Sequence, residues 1–127
     1  MSRCRGEEGL TSTQIAVMMP ALLFWIMLTV QYGLWFHAKQ VAGAAAAEAV
    51  DVAQVPGASA TRAEAAARSF LAQAGNLRNA EIEINQDAER VSVRVRGRAP
   101  QLVPGMSWAV ASVAQAPMER FIPQPER

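Results

Sequence analysis

The sequence predicts an α+β protein: a long N-terminal transmembrane helix that continues outside the membrane, a second helix, and a small antiparallel β-sheet. Three observations carry that reading. From Leu10 to Ala38 no side chain carries a formal charge at neutral pH. Ala38 to Val55 then continues in good helix formers, with only Gly43 weakening the run, as far as Pro56-Gly57. After Asn79 the hydrophobic period changes from helical to alternating.

The densest part of the uncharged stretch, Ile15 to Phe36, reads IAVMMPALLFWIMLTVQYGLWF, with Thr29 and Gln31 as its plainly polar side chains. At about 1.5 Å per residue it reaches roughly 33 Å, enough to cross a hydrocarbon core of about 30 Å. A cleaved secretory signal is the competing reading, and the alanines at 44 to 47 would offer its peptidase a site. Signal peptides, however, carry apolar regions of about 7 to 15 residues. Here the bulky Tyr32, Leu34, Trp35 and Phe36 stand where such a peptide already turns polar. A retained anchor fits better. Arg3 and Arg5 before the span, against Lys39 after it, predict a cytoplasmic N-terminus.

Within the span, Thr11, Ser12 or Thr13 is suited to cap the helix, and Pro20 predicts a kink because it cannot donate to the carbonyl of Ala16. Tyr32, Trp35 and Phe36 gather at the exit, where aromatic rings prefer the interface. His37 is the one histidine and has no neighbouring acid or cysteine, so it reads as an interfacial side chain. Beyond it, Val41, Ala45, Glu48, Val52 and Val55 fall at helical spacing. Glu48 in that stripe is either solvated or paired with an arginine of the domain or of a neighbouring subunit.

Thr61-Arg62-Ala63-Glu64 has the form of a capping box and opens a second helix that ends at Ala74 before Gly75. Its inner face would be Phe70, Leu71 and Ala74 with Ala63, Ala66 and Ala67. Ile82 and Ile84, then Val91, Val93 and Val95, alternate with charged residues as two strands. A four-residue turn at Gln86-Asp87-Ala88-Glu89 would pair Ile84 with Val91, Ile82 with Val93 and Glu81 with Arg94. Phe70 and Leu71 are expected to cover the apolar face of this hairpin. Trp108 to Gln115 fits a third strand better than a short helix, given Pro117 and the small alternating side chains. The tail beyond Pro117 should be extended.

Composition narrows the function classes. The chain has 127 residues and a formal net charge of +1, which argues against an electrostatic nucleic-acid binder. Its one cysteine, Cys4, precedes the span, so neither a disulfide framework nor a thiolate metal site is available. No catalytic constellation, cofactor motif or metal-ligand spacing is present, and an enzyme is not expected. Glu81 and Glu83 read as the solvated partners of strand arginines.

The junction at Gly9 carries the sharper signal. A short basic leader ending in glycine, followed by small polar residues and a long apolar helix, resembles prepilins. The stretch EEGLTSTQIAVMMPALLFWIMLTVQYGLWFHAKQVAGAAAAEA more specifically resembles the TadE-like family of the tight-adherence (Flp) pilus machinery. Gly9, Pro20 and Gln31-Tyr32-Gly33 carry the likeness. VRVRGRAPQLVPGMSWAVASVAQAPMERF is similar, more loosely, to the family's C-terminal sheet region.

The resemblance implies a leader at 1–9 cut between Gly9 and Leu10 by a prepilin peptidase, a transmembrane helix at 10–37 and an extracytoplasmic α+β domain at 38–127. It implies a single-pass protein of the cytoplasmic membrane whose partners are the bilayer, other pilin-like subunits and the pilus assembly platform. Gln14 departs from the pattern. Prepilins carry glutamate at that place, where its carboxylate neutralises a neighbour's new N-terminal amine. Gln14 can only hydrogen-bond, which favours a minor pilin or assembly factor over the bulk subunit. Gln14, Pro20 and Glu48 are the candidate subunit-association residues. The alternative function is a secreted or membrane-anchored cell-surface binding module whose first segment only targets it.

Overall fold

The structure, a computed structural model, describes residues 7–119. Cys4, most of the expected leader and the last part of the expected tail (120–127) lie outside the described residues. The elements in chain order are α1 (Glu7–Ala53), α2 (Ala60–Ala74), β1 (Arg78–Gln86), β2 (Arg90–Arg98) and β3 (Ala109–Pro117). The α+β class expected from the sequence is the one observed.

The first helix is a continuous rod of 47 residues with Pro20 inside it. Its described part runs from Glu7, so Thr11, Ser12 and Thr13 are helical and do not cap it. Two environments divide the rod. From Ile15 to Ile26 its large apolar side chains are exposed, Trp25 with 69% of its surface free. From Ala38 onward one face is sealed: Ala38, Val41, Ala42, Ala45, Ala46, Ala49, Val50 and Ala53 are buried. Of the stripe expected through Val41, Ala45, Glu48, Val52 and Val55, Val41 and Ala45 are on this face and Val52 is partly buried, whereas Glu48 and Val55 are exposed. Alanine hides the period in sequence, because it is neutral enough to stand on either face of a helix.

The second helix starts at Ser59 rather than at Thr61. Ser59 is extended (φ −86°, ψ 150°) and its Oγ accepts the Arg62 N–H at 3.3 Å. Glu64, released from any capping box, instead pairs with Arg68 at 2.7 Å, an exposed bond of small energetic weight. Gly75 adopts the left-handed conformation (φ 69°) that ends a helix, and its N–H returns to the Leu71 carbonyl.

The sheet is a three-stranded antiparallel meander in the order β1-β2-β3. Ile84 faces Val93, Ile82 faces Val95 and Glu81 faces Arg96, two residues from the expected register. The connection is correspondingly tighter, closed by the Asp87 N–H donating to the Arg90 carbonyl at 2.8 Å. A slip of two keeps every side chain on its own face, so alternation cannot tell the two registers apart. The slip also sets Glu83 within 3.9 Å of both Arg94 and Arg96. The third strand is formed, with Val93 opposite Ala114 and Gly97 opposite Val110.

It is α1, not α2, that covers β2 and β3; α2 packs along α1 and reaches the sheet at β1. Leu71, Ala63 and Ala67 are buried in that helix pair, and Phe70 is only half-buried. The expected Phe70–sheet packing therefore gives way to the alanine face of α1. A flat alanine surface lets a strand come close: a Cβ on Gly43 would stand 3.2 Å from Ser112 Oγ. On the same face of the sheet, at the end of β2, a Cβ on Gly97 would meet Leu77 Cγ at 2.5 Å, so Leu77 occupies the space that glycine leaves.

Val91, Val93 and Val95 form the sealed centre of the sheet, each at 0% exposure. Val93→Ala should cost about 2–4 kcal/mol of stability. Val113→Ala, at a position 48% exposed, should cost less than about 1 kcal/mol. Thermal melting of the full chain in detergent checks the pair, and equal shifts would contradict a core on this side of the sheet.

Candidate functional site

Where the apolar part of α1 meets the domain, a polar residue is completely enclosed. Gln31 has 0% exposure and is the one buried polar side chain among the described residues. Both ends of its amide bond to the β2–β3 connection. Nε2 donates to the Pro100 carbonyl at 3.2 Å, and Oε1 accepts the N–H groups of Leu102 at 2.8 Å and Val103 at 3.4 Å. The backbone of the β2–β3 connection (99–108) thus has three of its groups satisfied by one side chain of the helix. Leaving them buried and unpaired would cost about 1–3 kcal/mol apiece.

One turn further on, Trp35 repeats the attachment. Its Nε1 donates to the Ala109 carbonyl at 3.2 Å, and its ring meets Trp108 edge-on at 6.3 Å between centroids. Tyr32 lies 5.8 Å from Trp35 on the other side. The Lys39 ammonium sits 5.5 Å from the centre of the Trp35 ring. The β2–β3 connection closes on itself through the Ala99 N–H, which donates to the Trp108 carbonyl at 3.0 Å. Gln31 and Trp35 are four residues apart and share a helix face, so together they form a clamp.

Residues 9–51 match the family model described as TadE-like protein. The long helix is TadE-like. The match begins two residues after α1 starts and stops two before it ends, so it covers the helix and not the sheet. No curated protein and no solved structure matches the chain. Within the TadE-like segment, Gln31-Tyr32-Gly33 is the motif that the clamp uses.

The expected site residues are spread along the rod. Gly9 and Leu10 lie within the first two turns of α1. Gln14 is exposed and, with Thr11, Ile15, Met18, Met19 and Leu22, lines a shallow apolar groove. Pro20 is also exposed, six residues away and on a different face. Glu48 stands roughly 50 Å from Gln14 along the axis, by rise per residue. The structure therefore brings none of Gly9, Gln14, Pro20 and Glu48 together within one chain. Gln31 stands within the Gln31-Tyr32-Gly33 motif, but the local pattern does not mark it as a site. The available signal was its phase: Gln31, Ala38, Ala42, Ala45 and Ala49 share one helical face.

Gln31→Leu keeps the volume and removes the amide. The Leu102 and Val103 amides should then exchange with deuterium at least about tenfold faster, the equivalent of about 1.4 kcal/mol. Amides of α2 should keep their rates. Unchanged exchange at Leu102 would mean that the connection is held without the clamp.

Proposed function

We propose that this chain is a structural, pilin-like minor component or assembly factor of a tight-adherence (Flp, type IV-like) pilus or a related secretion system. The TadE-like match over residues 9–51 carries the reading, because it falls on the helix whose lower half is apolar and uncovered. That helix is long and apolar enough to cross a membrane. Membership of this family implies involvement in a tight-adherence pilus system.

On this reading the N-terminus is cytoplasmic and the sheet domain lies outside. The helix holds the chain in the bilayer and packs laterally against other pilin-like subunits, through its apolar surface, its small residues and the groove beside Gln14. Pro20 leaves the Ala16 carbonyl without its helical donor, and a neighbouring helix can supply one. The role is non-catalytic, and the chain acts by position. A prepilin peptidase would release residues 1–9 and expose the Leu10 amine.

The mass of the mature N-terminus tests the reading first. Cleavage after Gly9 supports it; cleavage near Ala44 to Ala47 would overturn it in favour of a secreted binding module. An uncut chain would be a plain anchor. Gln14→Glu provides the second test. A carboxylate there would gain a charge-assisted contact with a neighbour's Leu10 amine. Crosslinking to pilin-like partners should rise in cells that process the leader and stay level in an uncleavable Gly9 variant. Equal crosslinking in both backgrounds would reduce Gln14 to an ordinary polar residue near the helix entry.

A further inference from the structure

The clamp fixes the β2–β3 connection at a particular depth. If α1 enters hydrocarbon near Thr11, a core of about 30 Å ends about 20 residues later, at Gln31. Lys39, the first charge after the span, then stands about 12 Å beyond that boundary, past a headgroup layer of roughly 5–8 Å. The connection hydrogen-bonded to Gln31 must lie at the same level as its partner. Its composition fits that position. From Ala99 to Met118 there is no charged residue, and the exposed tip carries Leu102, 45% exposed, beside Val103, Pro104, Gly105 and Met106. Tyr32, Trp35 and Trp108 stand around it, the residue types that favour a membrane interface.

A second observation points the same way. Arg78 and Arg98 are register partners at the end of the sheet next to this connection, and both are exposed. They line one cleft with Asn79, Ala99, Gln101 and Ser107. Among the described residues no carboxylate lies within ion-pair distance of either guanidinium. Two like charges held side by side favour an anion between them, and guanidinium suits phosphate oxygens.

We infer that the β2–β3 connection is a second membrane-contacting element: Leu102, Val103 and Met106 enter the leaflet on the domain's side, and Arg78 and Arg98 bind the phosphates of anionic lipids above them. The inference rests on the membrane-spanning reading of α1. The domain would then be seated on the bilayer rather than carried clear of it, with the hairpin at Asp87–Arg90 at its far end.

Nitroxide labels on the full chain test this in vesicles of phosphatidylcholine and phosphatidylglycerol. In a Cys4→Ser background, labels are placed singly at Leu102→Cys, Leu22→Cys and Ala88→Cys. The Leu22 and Leu102 labels should collide with oxygen in preference to a water-soluble nickel chelate, and the Ala88 label should do the reverse. A Leu102 label as open to nickel as Ala88, with Leu22 still shielded, overturns the inference and leaves the span intact. A Leu22 label open to nickel removes the span and the inference with it. Spin-labelled phosphatidylglycerol should be preferred over the choline lipid at the protein boundary, by up to about fivefold per arginine. Arg78→Gln with Arg98→Gln should abolish that preference; a preference that survives the double change overturns the arginine assignment.

Discussion

The whole of the domain depends on the alanine face of α1. A helix bearing large side chains from Ala38 to Ala53 would hold its neighbours well away from its backbone. Small side chains instead let α2 and the sheet press close on adjoining sides of one rod, and eight buried residues of α1 form the spine of the core. Each alanine buries little area, so cohesion comes from many close contacts rather than from a few large anchors. Val91, Val93 and Val95 supply the bulk that the alanines lack.

The same rod has two kinds of surroundings, and Gln31 marks the change. Before it, from Ile15 to Ile26, the large apolar side chains are exposed. Above it, the helix needs a protein partner along its length. A polar group at that border would be costly in hydrocarbon, and three backbone groups of the β2–β3 connection remove that cost. Trp35 and Trp108 extend the joint toward the sheet. The family match, residues 9–51, lies within this helix.

Much of this was legible in the sequence. The uncharged stretch, the continuous rod, the break at Pro56-Gly57, the second helix and three strands all follow from patterns of charge, period and punctuation. What escaped were choices between near-equivalent alternatives. Ser59 and Thr61 are both good caps, and only the chain path into α2 decides between them. Two hairpin registers preserve the same faces, and the tighter turn selects one. Alanine gave no contrast with which to locate the buried face, so Glu48 was placed on a stripe it does not occupy, and the cover of the sheet was assigned to Phe70. The candidate residues along α1 were legible as types but not as a site, because contacts between subunits are not written within one chain. Gln31 was visible in the motif, yet its partners lie about 70 residues away, beyond the reach of local pattern.

An unbroken helix between Gln31 and the core also acts as a phase lock. Each residue of a helix turns the chain by about 100°, so the seven steps from Gln31 to Ala38 bring the face back to almost the same bearing. Adding or removing one residue there would swing the sheet about 100° around the rod and carry the β2–β3 connection away from its amide. The length of this segment is therefore set by angle, not by reach. Two turns suit the joint, and a linker of arbitrary length would not. Through that angular coupling, the azimuth of the apolar half of α1 fixes the direction in which the domain faces.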